Sequence, residues 1–179
     1  MNIPEVTFKC RVLNEQDEYE WKNITTQELF LDKKVVLFSL PGAFTPICSN
    51  QQLPGYEELY DQFMEIGIDE IYCVSVNDSF VMNAWFKDQG IEKVKAIPDG
   101  NGEFTFNMGM SVSKANLGFG HRSWRYAAII NNGKIEILFV EDGKVGNCDV
   151  DPYEVSDPTT VLNYLKSKKT EEEVIVNYA

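Results

Sequence analysis

The chain has 179 residues, of which 44% are hydrophobic, and a formal net charge of −12. This length suits one domain with a sizeable core, and the acidic surface disfavours binding to the phosphates of nucleic acids or anionic lipids. No apolar run reaches membrane-spanning length, and the first residues lack the basic and hydrophobic regions of a secretory signal. We therefore expect a cytoplasmic protein that binds neither nucleic acid nor membrane.

The cysteines and the single histidine restrict the possible chemistry. Cys10, Cys48, Cys73 and Cys148 show neither Cys-x-x-Cys spacing nor the density of a disulfide-rich secreted domain, so we expect reduced thiols. Because His121 is the only histidine, a two-histidine metal cluster cannot form, and a Cys/His hydrolase would have to use that one residue. We expect no metal and no bound cofactor.

The first elements of the chain are predicted to be a hairpin, a short helix and a strand. Apolar residues alternate around 6–8 and 19–21 on either side of a polar turn, which is typical of a hairpin. Thr25 and Glu28 have the spacing of a capping box at a helix start. The apolar run 35–38 predicts a buried strand that leads directly towards residue 41.

A helix start follows this strand and places a cysteine in its first turn. Thr45 is predicted to be the N-cap and Pro46 the first helical residue, where the missing N–H costs no hydrogen bond. Cys48 then lies among unpaired backbone N–H groups at the positive end of the helix dipole, which favours the reactive thiolate. Pro54 predicts a kink or restart, after which helical spacing resumes until Gly67.

The remaining elements predict an α/β fold. Residues 71–76 are predicted to form a buried strand, and Asp78 is predicted to cap the next helix. This order indicates parallel β-α-β connections. A short strand at 95–97 is followed by a hairpin of 125–130 with 134–140, and a last helix begins at Asp157-Pro158. We predict a thioredoxin-like fold, with a central mixed β-sheet flanked by helices.

Three ordered blocks of sequence resemble one enzyme family. Pro41, Thr45 and Cys48 form the pattern Pro-x-x-x-Thr-x-x-Cys, and the blocks 75–82 and 122–127 follow in order. Together they resemble the peroxiredoxins of the type 5 branch, also called type II. The similarity is greatest to the peroxiredoxin unit of hybrid peroxiredoxin-glutaredoxin proteins, without the glutaredoxin domain. We assign residues 1–167 to this domain and 168–179 to a charged C-terminal tail.

The resemblance implies a peroxidase and a role for each matching residue. Cys48 would attack the peroxide as a thiolate and become a sulfenic acid. The Thr45 hydroxyl would bridge thiolate and peroxide, and Pro41 would shape the pocket and shield the sulfur from water. Arg125 would supply a cation that favours the thiolate and holds the peroxide oxygen; Arg122 lies close in sequence and is a supporting residue in this assignment.

One position departs from the family pattern. The family commonly has histidine shortly after the active cysteine, before Leu-Pro, whereas this chain has Gln52. We expect a secondary contact to the site to differ and the principal chemistry to be retained.

The sequence leaves the fate of the sulfenic acid open. Cys148 lies in a Gly- and Asp-rich segment that predicts an exposed loop, and it is either a resolving cysteine or an incidental surface thiol. Cys73 corresponds to a second cysteine of plant relatives, but its place in an apolar strand favours a packing role. Cys10 has no motif support.

The resemblance also implies partners. Hydrogen peroxide and alkyl hydroperoxides would be the substrates, glutathione with or without glutaredoxin the favoured reductant, and thioredoxin an alternative. The family implies a homodimer formed through the face that bears the active site. A peroxide sensor or redox-regulated binding protein would use the same Cys48 chemistry and is the main alternative, whereas the missing Cys-x-x-Cys argues against a disulfide oxidoreductase.

Overall fold

The computed structural model describes residues 1–178, with side chains described through Glu171. Its strands are β1 (Thr7–Leu13), β2 (Tyr19–Thr25), β3 (Lys34–Ser39), β4 (Glu70–Ser75), β5 (Lys95–Pro98), β6 (Ser111–Ser113), β7 (His121–Ser123), β8 (Tyr126–Asn131) and β9 (Lys134–Val140). Its helices are α1 (Thr26–Phe30), a π-helical segment (Cys48–Gln52), α2 (Leu53–Glu65), α3 (Ser79–Asp88), α4 (Glu103–Asn107), a 3₁₀ turn (Ala115–Leu117) and α5 (Pro158–Tyr178).

A mixed five-stranded sheet forms the centre of the fold, in the order β5-β4-β3-β8-β9. The neighbours β3, β4 and β5 run parallel, whereas β8 and β9 form an antiparallel hairpin that continues the sheet from β3. The predicted parallel connections and both predicted hairpins are therefore confirmed, since β1 and β2 also pair antiparallel. The architecture is the predicted α/β arrangement, a central mixed sheet flanked by helices.

The central strand β3 divides the core into two apolar clusters because alternate side chains of a strand point to opposite faces. Val36 and Phe38 belong to the cluster that includes residues of α2, α3 and α5, and this cluster also contains Cys48. Val35 and Leu37 belong to the cluster that includes residues of β1, α1 and α4. All four β3 side chains are fully buried, which explains the continuous apolar run in the sequence.

The helix caps predicted at Thr25 and Asp78 are present. The Thr25 hydroxyl accepts the backbone N–H of Glu28 and the Glu28 carboxylate accepts that of Thr25, so the capping box at α1 is confirmed. Asp78 accepts the backbone N–H of Val81 at the start of α3. Asp157 caps α5 by accepting the N–H groups of the following threonines, and Gly67, with φ of +95°, follows the end of α2.

Several short elements were not predicted. Helix α4 begins where the Asp99 carboxylate accepts the backbone N–H groups of Phe104 and Thr105, and β6 pairs with β7 over only three residues. Such short elements have too few residues for a periodic pattern. The strand predicted from Arg125 begins one residue later, at Tyr126.

Two expectations about the whole chain concern the C-terminal tail and membranes. The division between residues 167 and 168 stays a prediction, since α5 runs across it and the side chains of 172–179 lie outside the described residues. Within the part of the chain that the structure describes, no helix is both long and apolar enough to cross a bilayer.

Candidate active site

The helix predicted to present Cys48 begins where expected, but one side-chain contact differs. The chain turns helical at Pro46, and the Thr45 carbonyl accepts the backbone N–H of Ser49 at 3.0 Å. The Thr45 hydroxyl instead donates to the Gly42 carbonyl at 2.7 Å. The prediction that this hydroxyl caps the helix is therefore wrong, because it is turned back onto the preceding loop.

A widened helical turn holds the cysteine. From Cys48 to Gln52 the helix is π-helical, and the Leu53 N–H donates to the Cys48 carbonyl across five residues. The α-helical geometry resumes at Leu53, so that Pro54 lies in the first turn of α2. The predicted restart is thus confirmed, and the change of helix type occurs just before the proline.

Arg125 is the arginine that contacts the cysteine. Its Nη1 group lies 3.5 Å from Cys48 Sγ and also donates to Gln52 Oε1. Both Cys48 and Gln52 are fully buried, and Arg125 is only 1% exposed. A guanidinium cation is thus held next to the thiol away from bulk water, where its electrostatic effect is less screened.

Arg122 has a different role. Its Nη1 donates to the Pro41 carbonyl at 3.1 Å and its Nε to the Phe119 carbonyl at 3.2 Å. A Cβ on Gly42 would collide with Arg122 Nη1, so the glycine allows the arginine to approach. Arg122 therefore supports the loop that precedes the cysteine.

Asp151 and Tyr153, which the sequence analysis missed, complete the surroundings of Arg125. Both Asp151 carboxylate oxygens accept from Arg125 Nη2 at 2.7 Å, and the guanidinium carbon lies 5.5 Å from the centre of the Tyr153 ring. Burial alone would lower the pKa of Arg125, but the nearby Cys48 and Asp151 outweigh this and raise its pKa. Arg125 is therefore a permanent cation.

The loop before the cysteine is fixed by Asn77, which belongs to the second motif block. The Asn77 side-chain oxygen accepts the Ala43 backbone N–H at 3.0 Å and the Ser75 hydroxyl at 2.7 Å. Phe44, the next residue, has φ of +62° and is 54% exposed. Because a bulky residue rarely adopts this conformation, the bond from Asn77 helps to hold a strained loop.

Trp85 of α3 links the cysteine turn to the body of the protein. Its indole N–H donates to the Ser49 hydroxyl at 3.0 Å, and the ring is fully buried. The residue next to the cysteine is therefore tied to a neighbouring helix.

The other cysteines lie in different surroundings, and all four cysteines are free thiols. Cys73 is fully buried in β4, as predicted, and burial raises the pKa of its thiol well above the usual value. Cys148 is partly exposed in the predicted loop, and it packs against the cluster on the face of the sheet opposite to Cys48. Burial also raises the pKa of Cys10.

The described residues contain no group of three His, Cys, Asp or Glu side chains placed to hold a metal ion. What the site brings together is one buried thiol at a helix start and one buried cation, on a sheet of thioredoxin-like type. This combination defines a class of thiol-dependent redox proteins.

Comparison with known proteins identifies the family within this class. The Redoxin family matches residues 2–156. A peroxiredoxin of Rhizobium etli is 59% identical over 92% of this chain and 94% of its own. The hybrid peroxiredoxin hyPrx5 of Haemophilus influenzae is 50% identical over 97% of this chain and 68% of its own. The crystal structure of a Plasmodium falciparum antioxidant protein, a 1-Cys peroxiredoxin, superimposes with a TM-score of 0.88 at 41% identity, covering 93% of this chain and 98% of that one.

The chain belongs to the peroxiredoxin family, and its relatives are of the type 5 kind. Membership implies an enzyme that reduces peroxides through a cysteine thiol.

Proposed function

We propose that Cys48 is the peroxidatic cysteine of this enzyme and that Arg125 activates it. The observation that supports this assignment is the 3.5 Å contact between Arg125 Nη1 and Cys48 Sγ. Among the described cysteines, only Cys48 combines a helix-start position with a bonded cation.

The first step transfers one oxygen atom to the sulfur. The Cys48 thiolate attacks the terminal peroxide oxygen, an S–O bond forms and the O–O bond breaks. The leaving oxygen takes up a proton and departs as water from hydrogen peroxide, or as an alcohol from an alkyl hydroperoxide. Arg125 stabilises the charge that develops on that oxygen, and the Thr45 hydroxyl, after rotating from the Gly42 carbonyl, donates to the peroxide. Pro41 forms the wall of the pocket that shields the sulfur.

We infer a cycle that uses one cysteine and an external thiol. A glutathione thiol condenses with the sulfenic acid to give a mixed disulfide and water, and a second glutathione, or glutaredoxin, then attacks the mixed disulfide and releases the Cys48 thiol. Two observations support this choice over Cys148. Cys148 packs on the opposite face of the sheet, and the relatives include a hybrid peroxiredoxin and a 1-Cys peroxiredoxin.

We further propose a cytoplasmic homodimer without a bound cofactor. The exposed aromatic ring of Phe44, which directly precedes Thr45 and lies four positions before Cys48, supports an interface on the active-site face. Burial of such rings is a common source of dimer stability. Sedimentation of wild type and Phe44→Ala tests the dimer, which we expect the variant to weaken.

Mass spectrometry tests the assignment of the cysteine. Wild type, Cys48→Ser and Cys148→Ser are each treated with one equivalent of hydrogen peroxide in the presence of dimedone, which traps sulfenic acid. We expect an adduct on Cys48 in wild type and in Cys148→Ser, and none in Cys48→Ser. An adduct that appears only when Cys148 is removed would instead identify Cys148 as the resolving residue.

A coupled turnover assay tests the reductant. Peroxide consumption is followed with glutathione alone, with glutathione and glutaredoxin, and with thioredoxin and its reductase. We expect sustained turnover with glutathione and glutaredoxin. Oxidation of Cys48 without turnover in any of the three systems would favour a peroxide sensor over an enzyme that uses these reductants.

A further inference from the structure

Asp151 binds the Nη2 group of Arg125, whereas the Nη1 group of the same guanidinium faces Cys48. Both carboxylate oxygens lie 2.7 Å from Arg125 Nη2, while Nη1 contacts Cys48 Sγ and Gln52. A guanidinium group is planar and rigid. Fixing Nη2 in the plane therefore also fixes where Nη1 points.

The carboxylate belongs to a segment, residues 141–157, that we call the strap. On the C-terminal side of Asp151, the backbone N–H groups of residues 154, 155 and 156 and the Ser156 hydroxyl donate to the Glu141 carboxylate. The Glu141 side chain is only 2% exposed. On the N-terminal side of Asp151, the Asn147 backbone N–H donates to the Ser113 carbonyl at 2.7 Å. Asp151 is thus held between two anchored points.

The strap is also hydrogen-bonded to Trp124 and Arg125, which lie between β7 and β8. The Glu141 backbone N–H donates to the Arg125 carbonyl at 3.2 Å, and the Trp124 indole N–H donates to the Glu141 carbonyl at 2.7 Å. A pair between two mobile surface side chains contributes little because ordering both costs entropy. Here Arg125 is buried, and Asp151, whose side chain is 37% exposed, belongs to a segment that is anchored on both sides.

We propose that Asp151 is a positioning residue for the peroxide reaction, which aims Arg125 at Cys48 while its negative charge limits how strongly Arg125 favours the thiolate. The proposal rests on the proposed role of Cys48. It assigns two separable effects to one carboxylate, an orienting effect that speeds the reaction and a charge effect that raises the pH at which the thiolate forms.

Two substitutions separate these effects. Asp151→Asn keeps one oxygen that accepts from Arg125 Nη2 but removes the charge, so the thiolate should form at a lower pH than in wild type. Its rate with peroxide, measured where the thiolate is fully formed, should stay within about threefold of wild type. Asp151→Ala also removes the anchor, so its rate at that pH should fall about tenfold or more.

The experiment combines thiolate absorbance at 240 nm against pH with stopped-flow rates of hydrogen peroxide reduction over the same pH range. Asp149→Asn is the matched control, since it makes the same change of charge on an exposed side chain two residues away. Thermal melting of each variant shows whether it is folded. If Asp151→Ala does not fold, Asp151→Leu and Asp151→Asn provide the same comparison of anchor and charge.

Each outcome decides one statement. A full wild-type rate for Asp151→Ala, with the thiolate fully formed, would overturn the orienting effect, and an unchanged midpoint in Asp151→Asn would overturn the charge effect. Failure of the underlying function would look different, because wild type itself would then not react with peroxide at Cys48. Both effects would be supported if Asp151→Asn shifts thiolate formation, Asp151→Ala reacts more slowly, and the control variant Asp149→Asn behaves like wild type.

Discussion

The guanidinium group of Arg125 lies 3.5 Å from the sulfur of Cys48 although the two residues are 77 positions apart in the chain. Helix geometry alone brings backbone N–H groups to the cysteine, whereas the cation arrives from the neighbouring strand region. The chemistry of the site therefore depends on how β8 is placed against β3, in the antiparallel register that pairs Ser39 with Tyr126.

Replacing Arg125 tests how much of the rate depends on this contact. Arg125→Ala should lower the rate constant with hydrogen peroxide by about a hundredfold or more, because the developing oxyanion loses its buried cation. Arg125→Lys should give an intermediate value, since one ammonium group cannot bind Asp151 and Cys48 in the fork geometry of arginine. Stopped-flow kinetics under pseudo-first-order conditions provide the measurement.

Arg122→Ala is the control for that series. Arg122 donates to backbone carbonyls of the active-site loop and has no bond to the sulfur among the described contacts. Its removal should lower the rate less than removal of Arg125 does. A larger loss in Arg122→Ala would reverse the assignment of the two arginines.

Gln52 is predicted to stabilise the buried guanidinium. It is fully buried and accepts from Arg125 Nη1, so Gln52→Leu leaves a buried donor without its partner. This should lower the free energy of unfolding by about 1–3 kcal/mol and reduce the peroxide rate severalfold. Chemical denaturation and stopped-flow kinetics measure the two effects.

Gln51 provides the matched control because it precedes Gln52 in the same helical turn and is exposed. Gln51→Leu should leave both the stability and the rate almost unchanged. Gln52→His introduces the residue that the family pattern leads us to expect at this position, and it should retain most of the rate. Equal effects of the leucine substitutions at 51 and 52 would contradict a specific role for Gln52.

The hydrogen bond from Trp85 to Ser49 should report movement of the cysteine turn. Cys48 is fully buried, so a glutathione molecule reaches its sulfur only if this turn opens. Opening separates the Trp85 indole from the Ser49 hydroxyl, now 3.0 Å apart, and should change tryptophan fluorescence when the mixed disulfide forms. Trp85→Phe should lose the signal, whereas Trp21→Phe, which removes an exposed ring, should keep it.

The sequence predicted those parts of the site that depend on local pattern. The helix start at Pro46, the cap at Asp78 and the buried strand that contains Cys73 each depend on neighbouring residues. Asp151 was missed because an acidic residue in a polar loop has no periodicity that indicates a buried partner. Arg122 and Arg125 share one motif block. The family pattern favoured Arg125 as the cation beside Cys48, and the contacts in the folded chain distinguish the two arginines physically.

The Glu141 carboxylate should be a major contributor to stability. It is buried and accepts three backbone N–H groups and one hydroxyl of the strap. Glu141→Ala leaves these donors without an acceptor and should lower the free energy of unfolding by about 3 kcal/mol. Asp142→Ala, at an exposed neighbouring position, should change it by less than about 0.5 kcal/mol; similar losses in both variants would contradict the anchoring role.

Thiol labelling should separate the cysteines by burial. Burial raises the pKa of Cys73 well above its ordinary value, so this residue remains the unreactive neutral thiol through the neutral and mildly alkaline range. At pH 8, iodoacetamide should modify the partly exposed Cys148 within minutes and leave Cys73 unmodified, as read from peptide masses. All four cysteines should react after denaturation, which shows that protection comes from the fold. Rapid labelling of Cys73 in the native protein would mean that β4 opens readily. It would then favour Cys73 as a residue that forms a disulfide with oxidised Cys48.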